Sequence, residues 1–211
     1  MILESIVTTV SKEGQVNVAP MGPVVSRPDA MRIIDRPDPG FRLRPFEGSR
    51  TFENLVETRC ATIHVTDDVE LFASAAVGHI DLKSGASSSE SLVRRSPCER
   101  FAILQHCHRW FCIEVTSVEA TPPRYEMECR VIDSAMEEPF FGFNRAKHAV
   151  IEAAILATRT HLIGREELFR QLETLKPLVD KTAGAPEQRA FEMLAREIDS
   201  RIELNSLGGG E

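Results

Sequence analysis

The 211 residues suffice for one full hydrophobic core, or for one domain with a smaller companion. Apolar residues at 42% and charged residues at 27% are a soluble globular balance, and a net charge of −7 argues against a general nucleic-acid binder, which needs a clustered basic surface. No apolar run approaches the ~20 residues that span a bilayer, and Met1-Ile2-Leu3-Glu4-Ser5 lacks the basic and apolar regions of a secretory signal, so the expectation is a cytoplasmic protein without a membrane partner.

Ile6 to Val10 and Val16 to Ala19 are β-rich runs around Ser11-Lys12-Glu13-Gly14-Gln15, which predicts a hairpin with glycine in its turn. The second run enters Pro20-Met21-Gly22-Pro23, where each proline removes a ladder donor, so this strand lies at an edge or ends there. Thr8, Thr9 and Asn17 then either face solvent or line a ligand cleft. After a proline-punctuated stretch with a short strand around Met31 to Ile34, a strand at Phe41 to Leu43 leads into Arg44-Pro45-Phe46-Glu47-Gly48-Ser49-Arg50-Thr51-Phe52-Glu53-Asn54-Leu55. This reads as strand, glycine turn and helix start. Ser49 or Thr51 supplies the N-cap, Phe52, Leu55 and Val56 hold the helix to a core, and the helix ends near Arg59. A helix start offers free donors and a positive dipole end, and Arg44 and Arg50 flank it with guanidinium forks suited to phosphate. The stretch is therefore either a phosphate seat or an ordinary capped helix with solvated arginines, and the local pattern favours the second.

Cys60 to Val65 is a strand, and Thr66-Asp67-Asp68 caps a second helix with Val69, Phe72, Ala73 and Ala76 on its apolar face. Residues 78–97, rich in serine, read as a surface loop. Two alternating strands follow, one with Phe111, Ile113 and Val115 on one face and the next with Tyr125, Met127, Cys129 and Val131, joined at Thr121-Pro122-Pro123. Such a run of strands closes most naturally as an antiparallel barrel or sandwich.

From Asn144 the period changes to a helix that is apolar nearly all round and therefore buried. Its exceptions, Arg145, His148, Glu152 and Arg159, fall in a stripe about 60° wide at 100° per residue. Cations in a first turn oppose the dipole. The stripe is either a ligand or subunit contact through Arg145, or a solvent face with a His148–Glu152 pair. Arg165 to Lys176 is a helix stopped by Pro177, and Pro186 to Glu203 a last one, so that three helices form a small antiparallel bundle docked on the barrel.

Five cysteines (60, 98, 107, 112 and 129) with no C-x-x-C pair predict reduced thiols rather than a disulfide framework. His106-Cys107-His108 with Cys112 matches no recognised zinc spacing, so no metal site is expected.

The stretches Val7-Thr8-Thr9, Glu13 to Gly22, Arg44 to Leu55 and Thr66-Asp67-Asp68 resemble the FMN-binding split-barrel, flavin reductase-like proteins. Gly142-Phe143-Asn144-Arg145-Ala146-Lys147-His148 through Ala153, with Asp180-Lys181-Thr182, resembles an uncharacterised prokaryotic branch that adds a C-terminal helical region. The resemblance implies an α+β chain: a split β-barrel domain over 1–138, a helical domain over 139–205 and a flexible tail at 206–211. It implies a homodimer holding FMN near the subunit interface, with the phosphate near Ser49, Arg50 and Thr51 and with Arg44 and Asn54 as neighbours. The ring would lie along the hairpin at Thr8, Thr9, Asn17, Ala19 and Met21, and Arg145 and His148 would close the site from the same or the other subunit. An aromatic is expected at position 52, and Phe52 lacks the hydroxyl a tyrosine would bring. Beside the Asn17-to-Gly22 hairpin edge and the cations at Arg145 to His148, the phosphate seat becomes the favoured reading of Arg44 to Leu55. The function implied is a flavin-dependent oxidoreductase passing hydride or electrons between a reduced nicotinamide nucleotide and a small acceptor, with no catalytic side chain assigned. The alternatives are a non-catalytic flavin- or pterin-binding module and a structural or assembly protein without a cofactor.

Overall fold

The structure is a computed structural model that describes residues 1–26, 40–80 and 92–208. The strand expected around Met31 to Ile34, most of the 78–97 loop and the last three residues of the tail lie outside the described residues. The chain divides into two compact units: Met1–Thr66 with Asp81–Phe140, and Asp67–Ile80 with Phe141–Glu211.

In the first unit, β1 (Ser5–Val10), β2 (Val16–Met21), β3 (Val24–Val25), β4 (Phe41–Leu43), β5 (Cys60–Val65), β8 (Arg109–Thr121) and β9 (Arg124–Met136) form one antiparallel sheet in the order β2-β1-β5-β8-β9-β4-β3. It curls into the half-barrel of a split-barrel fold. The proline-bearing β2 takes the edge, where the missing donor of Pro20 costs no central pairing. A second two-stranded sheet pairs β6 (Val93–Arg95) with β7 (Ala102–Leu104). Val93–Arg95 therefore corrects the reading of 78–97 as loop throughout: only three residues long, it carries too little periodicity to show itself in sequence.

Alternation sends the two faces of β1 to different tasks. Val7, Ile63, Phe111, Ile113, Phe41, Leu43 and Met127 build the barrel core, with Phe41 and Phe111 meeting edge-on at 5.1 Å. Each such side chain contributes on the order of 1.5–3 kcal/mol by leaving water. On the other face, the β6–β7 hairpin is fastened by polar bonds: Thr8 Oγ1 donates to the Ala102 carbonyl, and the Leu104 N–H donates to His64 Nε2 at 3.1 Å. Because Nε2 accepts there, the proton sits on Nδ1, which donates to the Ile6 carbonyl at 3.1 Å. Burial pushes the His64 pKa down to about 4, so this imidazole is a neutral joint tying β1, β5 and β7.

The second unit packs α2 (Val69–Val77), α3 (Arg145–Ala157), α4 (Arg165–Thr182) and α5 (Ala185–Gly208). Its core joins Ala146, Ala149, Val150, Ala153 and Ala157 to Leu168, Leu172, Leu194 and Ile198. The alanines make α3 thin enough for α2, α4 and α5 all to pack on it. Asp68 caps α2 by accepting from the Leu71 N–H at 3.0 Å.

Pro177 does not end α4, which runs on to Thr182. An interior proline costs about 3 kcal/mol, but the last turn is anchored: Val179 is buried, and the Thr182 hydroxyl donates to the Leu178 carbonyl and accepts from the Ala146 N–H. The last helix likewise outruns the Pro186 to Glu203 expected, and Glu187 accepts from the Gly184 N–H at 2.8 Å, the returning half of a capping box.

Candidate functional site

α1 (Arg50–Thr58) begins after Gly48, whose φ of +74° is open to glycine at no steric cost. Ser49 is the N-cap: its Oγ accepts from the Phe52 N–H at 3.2 Å and donates to the Phe46 carbonyl at 2.7 Å, while the Glu53 N–H takes the Ser49 carbonyl at 3.0 Å. The N–H groups of Arg50 and Thr51 have no acceptor among the described residues, which is the free-donor condition of an anion site.

This helix docks through polar side chains. Its buried residues are Thr51, Asn54 and Leu55; Val56, expected on the core face, is 47% exposed. The buried stripe follows the Thr51-to-Leu55 spacing, and Val56 lies about 100° further round. Asn54 Nδ2 donates to Thr9 Oγ1 at 2.9 Å, and Asn17 Nδ2 donates to Thr51 Oγ1 at 3.0 Å. Thr9 and Asn17 are cross-strand partners in the hairpin, so their side chains stand on the same side of it. Both threonines accept, leaving each hydroxyl hydrogen without an acceptor among the described residues.

The structure thus brings Thr9, Asn17, Ser49, Arg50, Thr51 and Asn54 together. Ala19 and Met21 continue the Asn17 side of β2, half-buried at the sheet edge. Thr8 stands on the opposite face of β1 and is taken up by the Ala102 carbonyl. Arg44 is exposed, and its Nε lies 3.3 Å from Glu126 Oε1, a carboxylate that also pairs with Arg42. Arg50 is exposed with no carboxylate in ion-pair range among the described residues. Beside the cluster, the ring of Tyr125 packs 4.5 Å from Phe52, and its hydroxyl donates to Glu47 at 3.3 Å. Sequence reasoning missed this phenol. Alternation placed Tyr125 on a core face, but only the pairing of β9 with the segment after β4 sets it next to α1.

Arg145 and His148 belong to the other unit, both exposed on α3. His148 stacks on Phe143, ring centres 6.1 Å apart. Lys147 is occupied by Asp67, with Glu187 3.9 Å away. Asn144 caps the helix, accepting from Ala146 and Lys147 N–H at 2.8 and 3.2 Å and donating to the Thr182 carbonyl at 2.9 Å. The Gly142-to-Ala153 and Asp180-to-Thr182 signatures are therefore two sides of one joint.

His106 Nδ1 lies 3.1 Å from Glu138, and burial pushes the thiols of Cys107 and Cys112 up to about 12. Among the described residues no group of three His, Cys, Asp or Glu side chains is placed to hold a metal ion. No described helix is long and apolar enough to cross a membrane.

Residues 3–138 match the N-terminal domain, and residues 144–196 a second region, of the family described as a protein of unknown function, DUF447. The chain belongs to the DUF447 family. A crystal structure of an FMN-bound DUF447 protein from Methanosarcina mazei shares its fold at a TM-score of 0.74 and 23% identity, over 93% of this chain and 94% of that one. Nitrilotriacetate monooxygenase component B from Mycobacterium thermoresistibile aligns at a TM-score of 0.50 and 14% identity, over 66% of this chain and 72% of that one. The first spans both units of this family member; the second, two thirds of the chain.

Proposed function

We propose that this protein binds FMN, with the phosphate seated at the start of α1. The observation that carries the reading is the coincidence, at one helix start, of two free N–H groups, the spare hydroxyl hydrogen of Thr51 and the unpaired guanidinium of Arg50. Support comes from the fold shared with a family member whose crystal structure holds FMN. Arg50 would supply the charge and a fork of donors, Thr51 a hydroxyl, and Ser49 the cap that keeps the turn rigid. Asn54 and Asn17 act as positioning residues, since their amides hold α1 against the hairpin along which the ring would lie at Thr9, Ala19 and Met21. Arg44, neutralised by Glu126, would serve at the rim. Thr8 lies on the far face, and a role for it would pass through the β1 main chain. Arg145 and His148 remain candidates for closing the site from the same or a second subunit.

Bound flavin supplies hydride and single-electron chemistry, and the protein contributes binding, orientation and hydrogen bonds. We infer a flavin-dependent oxidoreductase reduced by a nicotinamide nucleotide and acting on a small acceptor. It works as a homodimer, for which the exposed Phe141 and Phe143 offer apolar surface. Five free thiols suit a cytoplasmic setting. The test is the absorbance spectrum of freshly purified protein, with release and identification of the chromophore, then anaerobic addition of each nicotinamide nucleotide. A yellow protein bleached by one of them is expected. A colourless protein that takes up no FMN contradicts the binding. A yellow protein that neither nucleotide reduces leaves a binding module in place of the enzyme.

A further inference from the structure

A cavity of about 300 Å³ opens at the turn end of the β1–β2 hairpin, lined among others by Ser11, Lys12, Cys60, Arg95, Cys98 and Arg100. It is separate from the α1 start: Thr58, the last residue of that helix, is on its wall, and nine helical residues span about 13 Å. It also lies on the other face of the sheet, because Cys60 alternates with Ala61, which joins the barrel core.

Two of the five cysteines line this cavity, and Arg100 addresses both, one from each end. Arg100 Nη2 donates to Cys60 Sγ at 2.7 Å, and the Arg100 main-chain N–H is directed at the Cys98 sulfur. The two thiols are unlike in the way a reacting pair needs. Cys98 is exposed on the turn between β6 and β7, its Sγ 3.4 Å from Ser96 Oγ, and the Ser96 hydroxyl and the Arg100 N–H hold it below the ordinary thiol range. Cys60 is 1% exposed, and burial raises its thiol against the opposing pull of Arg100, so it waits protonated. Accessible sulfur with thiolate character meets oxidants first, and a nearby second thiol resolves the product. The other three cysteines are buried. Lys12 is held by Glu57 at 2.8 Å and Arg100 by Glu114 at 3.4 Å, whereas Arg95 has no carboxylate partner among the described residues. That leaves its positive charge to the cavity.

We propose that Cys98 and Cys60 form a peroxide-responsive dithiol in this cavity, Cys98 being the sulfur that is attacked and Cys60 the one that resolves it. The oxidant class is a hydroperoxide. The Cys98 thiolate attacks the terminal oxygen of the hydroperoxide; the O–O bond breaks, the alkoxide (hydroxide from hydrogen peroxide) leaves and takes a proton to become the alcohol or water, and the sulfur is oxidised to sulfenic acid. The Cys60 thiol then attacks that sulfur. The S–O bond breaks, the hydroxyl departs as water with the Cys60 proton, and a disulfide is formed. Two electrons have passed from two thiols to one peroxide. Arg100 acts as a positioning residue for both sulfurs, and an external dithiol restores the reduced pair.

The experiment treats the full chain with equimolar hydrogen peroxide, then alkylates and maps peptides by mass spectrometry. Cys98 is expected to lose its alkylation first, followed by a Cys60–Cys98 linked peptide that dithiothreitol reverses, with Cys107, Cys112 and Cys129 still reduced. In Cys60→Ser, or Cys60→Ala if the hydroxyl disturbs the fold, Cys98 stops at sulfenic acid, trappable by dimedone, and only a second equivalent of peroxide carries it to sulfinic acid. In Cys98→Ser, Cys60 stays reduced. Arg100→Ala keeps the main-chain N–H beside Cys98 and removes the guanidinium from Cys60, so the first oxidation of Cys98 is nearly unchanged and the linked peptide appears roughly tenfold more slowly. The proposal is overturned if Cys98 reacts no faster than in the urea-unfolded chain, or if oxidised Cys98 is never linked to Cys60 in the wild-type protein.

Discussion

Among the helix starts that carry cations, those of α1 and α3 have opposite fates. At the start of α3, Lys147 is met by Asp67 and approached by Glu187, and Asn144 with Thr182 takes up the N–H groups of Ala146 and Lys147. At the start of α1, the N–H groups of Arg50 and Thr51 and the Arg50 guanidinium are left open among the described residues. The same sequence sign, positive charge where the dipole disfavours it, marks an internal joint in one place and an anion seat in the other. What decides between them is the carboxylate that the fold does or does not bring up, and that is a long-range property.

The largest expected break in this comparison is at the joint. Lys147→Ala strands Asp67 and the nearly buried Glu187, and should cost about 2–3 kcal/mol in urea unfolding while FMN affinity stays within twofold. An unchanged midpoint would mean the pair is a surface contact of little weight. Next is His64. Its pKa is about 4 in the fold against an ordinary 6.5, so as pH falls through 6.5 the unfolded chain takes up a proton that the fold refuses. Stability is therefore full above pH 6.5 and is lost between about 6.5 and 4, by up to about 3 kcal/mol from this residue. His64→Gln should flatten that acid limb, as read by thermal melts across the range; an equally steep limb assigns it elsewhere. Asn144→Ala should remove about 1 kcal/mol by uncapping α3 and leave flavin binding alone. Ser49→Ala removes about the same from α1 and, unlike its counterpart, should also weaken FMN. If both cap variants behave alike toward FMN, the contrast between the two helix starts fails.

The sequence was legible where local chemistry decides. Alternation in β8 and β9, the proline-limited edge of β2, the Ser49 and Asp68 caps and the alanine-rich α3 all follow from neighbours a few residues away. It was illegible where distant partners decide. Pro177 reads as a stop because the anchoring of Thr182 to the start of α3 is 36 residues away along the chain. Val56 reads as core because nothing local says that α1 docks by amides and hydroxyls. The candidate site shares this division. Ser49, Arg50 and Thr51 are visible as a motif, their joining to Thr9 and Asn17 needs the fold, and the removal of Thr8 to the other face depends on which side of β1 the helix takes. Cys60 and Cys98 escaped notice because 38 positions separate them and no spacing rule covers such a pair.

The most direct test of the phosphate seat compares FMN with riboflavin, which differs by the phosphate alone, on wild-type protein and on Arg50→Ala. Fluorescence titration should show wild-type protein binding FMN roughly 100-fold more tightly than riboflavin, from one or two charge-assisted hydrogen bonds. Arg50→Ala should erase most of that ratio with riboflavin affinity and melting temperature unchanged. Equal affinity of the wild-type protein for the two flavins, or an FMN preference that survives in Arg50→Ala, would contradict the account.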